Sequence, residues 1–132
     1  MTAGYSGTPL PRKLGIRSGS RVLIVAAPPG FTLNAPDAIV HLRKGHDPYD
    51  VIVAFCPDGA SLRARFADLA TALTAAGALW VCWPKRASGV PTDLTENTVR
   101  DHGLGAGLVD VKVAAIDATW SGLKFVRRIA DR

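Results

Sequence analysis

Three largely apolar segments divide the first two thirds of the chain, and each is followed at once by a proline. A short apolar run bounded by turn residues is typical of a strand that is covered on both faces, as in a parallel sheet. We therefore predict strands at Arg21–Ala27, Asp50–Cys56 and Ala78–Trp83. A right-handed helical crossover returns the chain to the same edge of the sheet. These three strands are therefore expected to be parallel.

Helical spacing of apolar residues follows the second strand, and the positions are Leu62, Phe66, Leu69, Ala70 and Leu73. Asp58 is the predicted N-cap of this helix and Gly77 its predicted end. A second helix is predicted from Thr92 to His102 or Leu104, because Asp93 and Glu96 have the spacing of a capping box. The pattern thus indicates two helices that connect buried strands.

Two further strands are predicted near the end of the chain, at Val109–Ile116 and Leu123–Ile129. The connection between them, Asp117–Gly122, is short enough for an antiparallel pair. The segment 32–48 allows two interpretations, which are a short helix at Ala35–Arg43 or a minor strand at Ala38–Leu42.

The order of elements predicts an α/β fold, a reduced Rossmann-like sandwich. Its sheet is expected to have about five strands, mostly parallel, with an antiparallel C-terminal strand. We expect one domain over residues 1–132, in which residues 1–10 form an extended arm. This arm is predicted to dock across the strand-end loops or onto another subunit.

Composition narrows the class of protein. Hydrophobic residues make up 48% of the chain and charged residues 20%, which is typical of a compact globular domain. The longest apolar runs are far shorter than the roughly 20 residues that span a bilayer, so no membrane association is expected. The N-terminus lacks the pattern of a secretion signal, and we expect a cytoplasmic protein.

The net charge of +5 comes from cations that concentrate at the two ends of the chain. No aromatic residues interleave with them at a spacing that suits base stacking. We interpret them as a solvated basic surface, and binding to nucleic acid is not favoured.

The sequence predicts no cofactor, no metal and no catalytic residue. The histidines at 41, 46 and 102 have no acid or cysteine at metal-ligand spacing. Ser88 lies outside any Gly-x-Ser-x-Gly motif, so a hydrolase is unsupported. Cys56 and Cys82 are predicted to be reduced core residues.

Four loops are expected to share one edge of the sheet, at the carboxyl ends of the strands, where ligands of open α/β sheets bind. They are 28–31, 57–58, 84–91 and 117–122. The candidate residues for binding a ligand or an anion there are Lys85, Arg86, Ser88, Gly89, Thr92, Asp117, Trp120 and Ser121. Their cations and the start of the following helix supply positive potential.

A purely structural interpretation of the same residues stays open. Ser88 would then belong to a turn with Gly89, and Thr92 or Asp93 would be a helix cap. Lys85 would form an ion pair with Asp117 or Asp58. Tryptophans 83 and 120 either line a pocket for a flat ligand or fill the rim of the core.

The strand–helix–strand–helix–strand–strand order of this chain resembles the second half of the class I S-adenosylmethionine-dependent methyltransferase fold. Asp50-Val51-Ile52-Val53 is similar to the strand that precedes a helix in that fold, and 73–81 resembles its Leu-x-x-Gly-Gly-x-Leu segment. The resemblance implies a methyltransferase-like sheet over residues 21–129. The cofactor site of that class uses a glycine-rich turn after strand one, whereas this chain has Ala26-Ala27-Pro28-Pro29-Gly30. The cofactor site of that class also uses an acidic residue at the end of strand two, which holds the ribose hydroxyls.

Nearly the whole chain is also similar to a bacterial family of small proteins of unknown function. The resemblance is carried by Gly4-Tyr5-Ser6-Gly7-Thr8-Pro9-Leu10 and by the segments 13–16, 21–22, 27–31, 83–90, 92–96, 108–113 and 120–124. It implies a fold and no activity.

From these observations we expect a non-catalytic binding or interaction module on a degenerate methyltransferase-like fold. Its candidate partners are a small anion or nucleotide, another protein, or a second copy of the chain. The alternatives are a methyltransferase or other nucleotide-using transferase, and a nucleic-acid-binding accessory protein. An enzyme requires a pocket of about 300 Å³ or more that touches Lys85, Trp120 and Asp117. An interaction module requires an exposed apolar patch or an unpaired edge strand.

Overall fold

A computed structural model describes residues 7–132, which form a single six-stranded mixed sheet with its two longer helices on one face. The spatial order of the strands is β2-β1-β3-β4-β6-β5. Their bounds are β1 Arg21–Val25, β2 Ile39–His41, β3 Tyr49–Phe55, β4 Leu73–Pro84, β5 Leu108–Ala115 and β6 Trp120–Arg127. The helices are α1 Leu10–Lys13, α2 Gly59–Thr71 and α3 Glu96–Gly105, with short 3₁₀ turns at Arg86–Ser88 and Ile129–Asp131.

The strand directions confirm the predicted fold class. Strand β1 lies parallel to β2 and β3, and β3 lies parallel to β4. Strand β6 is antiparallel to both of its neighbours, β4 and β5. This arrangement places the C-terminal strand inside the sheet and the preceding strand at its edge.

The ambiguous segment 32–48 contains a strand and not a helix. Ile39, Val40 and His41 pair with the first three residues of β1 and form one edge of the sheet. The sheet therefore has six strands, one more than the number expected. The helical interpretation of Ala35–Arg43 is wrong, because backbone pairing with β1 overrides the weak local spacing of apolar residues.

Helix α2 ends at Thr71, six residues before the predicted end at Gly77. Leu73 instead pairs with Tyr49 as the first residue of β4, and the Tyr49 N–H donates to the Ala72 carbonyl at 2.8 Å. Gly77 lies against the Tyr49 backbone, where a side chain would collide with the carbonyl oxygen. This glycine permits close strand packing at a bulge instead of ending a helix.

Helix α3 starts later than predicted, at Glu96, and its capping box is formed by Thr95 and Thr98. Thr95 Oγ1 accepts from the Thr98 N–H, and Thr98 Oγ1 accepts from the Thr95 N–H at 2.8 Å. Asp93, the predicted cap of this helix, accepts from the Gly59 N–H at the start of α2. Chain folding therefore assigns the cap to a different helix from the one its sequence position suggested.

The two faces of the sheet are covered differently. Helices α2 and α3 pack on one face, which we call the helix face, around Phe66, Leu79 and Phe125. The opposite face, which we call the coil face, is covered by α1 and by the loop after β1. Residues 7–10 are the part of the predicted arm that the structure describes, and Leu10 packs on the coil face. The rest of the arm lies outside the described residues, and its docking stays a prediction.

Trp80 fixes the N-terminal segment to the centre of the sheet. Its side chain is fully buried on the coil face, and its Nε1–H donates to the Leu14 carbonyl at 3.1 Å.

Among the described helices, none is long and apolar enough to cross a membrane.

Candidate functional site

The four predicted loops do lie at one edge of the sheet. Phe31, from the loop after β1, contacts the ring of Phe55 at the end of β3, with the ring centres 4.9 Å apart. Phe55 in turn contacts Trp120 at 5.1 Å. Because Trp120 pairs with Pro84, the last residue of β4, these three aromatic rings cross the carboxyl ends of the parallel strands on the coil face.

A groove of about 460 Å³ opens at the same edge of the sheet, between the end of β4 and the start of α3. Five of the eight candidate residues line it, namely Lys85, Arg86, Gly89, Thr92 and Ser121. Its other lining residues are Trp83, Pro84, Val90, Pro91, Leu94, Thr95 and Glu96. We call this cavity the β4–α3 groove.

Ser88 does not line the groove, because its hydroxyl belongs to the turn that forms the groove's rim. The hydroxyl donates to the Lys85 carbonyl at 2.6 Å and accepts from the Val90 N–H at 3.2 Å. Gly89 ends the 3₁₀ turn with a φ of 73°, a left-handed conformation that favours glycine. The turn predicted from the sequence is therefore present.

The far side of the loop is fastened to the start of α2. The Thr92 hydroxyl donates to the Pro57 carbonyl at 2.7 Å and accepts from the Leu94 N–H at 3.1 Å. Asp93 accepts from the Gly59 N–H at 2.8 Å, and Asp58 accepts from the Ser61 N–H at the same distance. These contacts join the loop that lines the groove to the segment that starts α2.

The charges around the groove leave a positive balance. Lys85 forms no ion pair with Asp117 or Asp58 in the part of the chain that the structure describes. The Glu96 carboxylate, which also lines the groove, accepts from Arg100 at 2.7 Å and so is paired with a cation outside the groove lining, one that it shares with Asp110. Lys85 and Arg86 are thus available to an anion.

Asp117 and Trp120 lie beside the groove without lining it. Asp117 Oδ1 accepts from the N–H groups of Thr119 and Trp120, each at 2.8 Å, and so shapes the turn between β5 and β6. Trp120 packs on Phe55, as a residue at the rim of a core does. These contacts support a structural role for Asp117 and Trp120.

The cysteines take no part in the site. Cys56 belongs to the core of the helix face and Cys82 to the core of the coil face, and both thiols are free. Burial raises the pKa of Cys56, and it raises that of Cys82 further. Protonated buried thiols are unreactive. No cluster of metal-ligating side chains occurs among residues 7–132.

Trp83 lines the groove, in agreement with the interpretation that it lines a pocket. Leu94, Thr95 and Glu96 also line it, but the sequence around them predicts only a helix cap. The signal that would identify them is their position directly after the loop 85–93. A loop that joins a strand end to a helix start brings its two flanking elements together.

Solved structures with a similar fold include methyltransferases. A TehB-like SAM-dependent methyltransferase from Corynebacterium glutamicum aligns with a TM-score of 0.60 at 12% identity, covering 96% of this chain and 91% of that one. The magnesium protoporphyrin IX methyltransferase of Synechocystis, solved with bound SAM, aligns with a TM-score of 0.60 at 12% identity over 83% of this chain and 71% of that one. The N-methyltransferase NodS of Bradyrhizobium japonicum gives 0.56 at 15% identity, with coverages of 92% and 98%.

The chain has a methyltransferase-like fold. No family model matches the sequence, and a search of curated proteins finds no significant match. The resemblance to class I methyltransferases is therefore supported at the level of the fold. The resemblance to a bacterial family of small proteins stays a prediction.

The residues after β1 do not fit S-adenosylmethionine. Pro28 and Pro29 provide no N–H donors in the turn, and Phe31 packs against Phe55 instead of leaving an open crevice. Strand β2 ends at His41 and is followed by Leu42, Arg43 and Lys44, so no carboxylate stands at its end to accept from ribose hydroxyls. The backbone of the turn does take a left-handed conformation, but an alanine, Ala26, occupies that position.

Proposed function

We propose that this chain is a non-catalytic binding module on a methyltransferase-like fold, and that the β4–α3 groove holds an anionic group of its ligand. The observation that carries the proposal is the packing of Phe31, Phe55 and Trp120 across the strand ends where a cofactor crevice would otherwise lie. The groove beside this packing has a suitable volume for a small ligand and presents two cations without acidic partners.

Two criteria set from the sequence also favour a binding module over an enzyme. The groove exceeds 300 Å³ but touches only Lys85 of the three residues that an enzyme site at this edge was expected to use. The edge strand β2 leaves one side unpaired among the described residues, and it exposes Ile39 and Val40. Leu42, directly after β2, has 72% of its surface exposed. Unpaired edges with apolar side chains are sites for protein contacts.

A methyltransferase is the second candidate, and the structural comparisons favour it. The neighbours named above are methyltransferases, and one of them was solved with bound SAM. At 12–15% identity the similarity supports the fold, and the activity of these neighbours comes to this chain only as a hypothesis.

A thermal-shift screen separates the two candidates. The purified chain is tested against S-adenosylmethionine, S-adenosylhomocysteine, ATP, inorganic phosphate and acetate. A ligand at about 100 times its dissociation constant stabilises the folded state by about 2.7 kcal/mol, which is readily detected. We expect stabilisation by anions and none by the two adenosyl ligands.

Matched variants locate the effect. Arg86 and Arg43 are both exposed, and only Arg86 lines the groove. We expect Arg86→Ala to weaken anion binding about tenfold, since a hydrogen bond to a charged group is lost, and Arg43→Ala to leave it unchanged. Equal effects of the two variants would contradict the groove assignment. A clear shift with an adenosyl ligand would overturn the binding-module proposal in favour of the transferase.

A further inference from the structure

A second cavity, of about 540 Å³, lies on the coil face near the amino ends of the parallel strands. Its floor is formed by Val51, Ala78 and Lys124 on neighbouring strands, and its wall by Leu14 and the turn 15–20. Lys124 alternates along β6 with Leu123 and Phe125, which pack in the core of the helix face. The lysine therefore belongs to the coil face, away from the β4–α3 groove.

Lys124 lies in an environment that disfavours its own charge. It is partly buried, and it has no acidic partner within ion-pair distance among the described residues. Its nearest partner across the strand pair is Lys112, another cation. Burial, and to a lesser extent Lys112, lowers the pKa of Lys124. An unpaired, partly desolvated cation next to a like charge is stabilised by any anion that approaches it.

The wall formed by the turn 15–20 adds a second cation and two hydroxyl groups. Arg17 lines the cavity and is exposed, and its guanidinium makes none of the hydrogen bonds found within residues 7–132. Ser18 and Ser20 line the cavity beside it, and the Ser20 hydroxyl accepts from the Arg17 N–H at 2.9 Å. The Arg17 guanidinium and the Lys124 ammonium line the same cavity, and these are the two groups that proteins use to hold phosphate.

Asp50 gives the cavity an acceptor as well. One of its oxygens accepts from the Arg21 N–H at 2.8 Å, and the other has no hydrogen-bond partner in the described part of the chain. A carboxylate beside an anion site disfavours a bare polyanion. It suits a ligand that carries hydroxyl donors next to its phosphate.

We propose that this cavity binds a small phosphorylated polyol, such as a sugar phosphate. The phosphate lies between Lys124 and Arg17, and a ligand hydroxyl donates to Asp50. The volume of the cavity is within the range of small-molecule sites. This cavity shares no lining residue with the β4–α3 groove. An experiment can therefore contradict one of the two binding proposals and leave the other intact.

The test uses ribose 5-phosphate as the probe, with ribose and inorganic phosphate as comparisons, and calorimetry as the readout. We expect ribose 5-phosphate to bind more tightly than either comparison, because only it supplies both the anion and the hydroxyl donors. Lys124→Met and Arg17→Ala are each expected to weaken its binding about tenfold or more. Arg43→Ala removes the same charge as Arg17→Ala away from both cavities and is expected to have no effect.

Amide chemical shifts provide a second readout that does not depend on the variants. Ribose 5-phosphate should perturb residues 14–20, 76–78 and 124, and not residues 85–96. Perturbation confined to 85–96 would overturn this site and leave the groove proposal intact. Absence of binding, or equal loss in Arg17→Ala and Arg43→Ala, would also overturn it. Equal affinity for inorganic phosphate would remove the role given to Asp50.

Discussion

Single residues connect parts of the chain that are distant in sequence, and Trp80 is the clearest case. Its indole N–H is the buried donor for the Leu14 carbonyl, 66 positions away. Trp80→Phe keeps most of the apolar contact and leaves that carbonyl unpaired, which costs about 1–3 kcal/mol. We expect lower stability in urea and faster amide exchange in residues 10–16.

Trp83→Phe is the control, because Trp83 is buried on the helix face and its indole makes no hydrogen bond among those described. It should lose packing without a change in exchange at residues 10–16. Unchanged exchange in Trp80→Phe would show that the Leu14 contact does not hold this segment.

Ala26 is the second informative residue, because its φ of 56° is left-handed. This conformation costs a non-glycine residue about 1–2 kcal/mol, and a glycine at the same position would remove that cost. The glycine would also lose more conformational entropy on folding than alanine does, which offsets part of the stabilisation. Ala26→Gly should therefore raise the free energy of unfolding by about 0.5–1 kcal/mol. Ala27→Gly, at a position without positive φ, should lower it. Destabilisation of equal size in both variants, measured by denaturant titration, would contradict the strain at Ala26.

At the scale of elements, α3 depends on a glycine that lets it approach the sheet. A side chain at Gly103 would overlap the ring of Phe125 on β6. Gly103→Ala should destabilise the protein by about 1–3 kcal/mol, as overpacking does. Gly105, in the same helix, has open space around its Cα, so Gly105→Ala should be neutral or slightly stabilising. Thermal unfolding of the two variants compares them directly, and similar losses would rule out the contact with Phe125.

For the whole molecule, acid stability is set by carboxylates that are held in the folded state. The Arg100 side chain lowers the pKa of Asp110, and hydrogen bonds from Ser61 lower that of Asp58. Because the folded pKa is below the unfolded one, their contribution is present at neutral pH and lost as the pH falls below about 4 towards the folded values.

Asp110→Asn tests this contribution. It should lower stability at pH 7 by up to about 1 kcal/mol, since the pair with Arg100 is near the surface, and should flatten the pH dependence below about pH 4. Asp101→Asn removes an exposed carboxylate from α3 and serves as the control. An unchanged acid slope in Asp110→Asn would contradict the assignment.

Most of the elements could be predicted from the sequence, because they depend on local patterns. The apolar runs that end at prolines became β1, β3 and β4, and Asp58 caps α2 as its position indicated. The element boundaries that failed have non-local causes. Residues 73–77 join β4 because Leu73 pairs with Tyr49, and Asp93 accepts from the first N–H of α2 because the loop folds back over Gly59.

The sequence by itself determined the α/β class, the parallel strands and the edge of the sheet where loops gather. Alternating and periodic burial acts over a few residues, so it can be recognised in a linear pattern. Only the tertiary structure decided which candidate residues share a groove and that aromatic rings close the strand-one turn. It alone also brought Lys124 and Arg17, 107 positions apart in the chain, to the lining of one cavity, since such proximity depends on strand order and register, which no local pattern specifies.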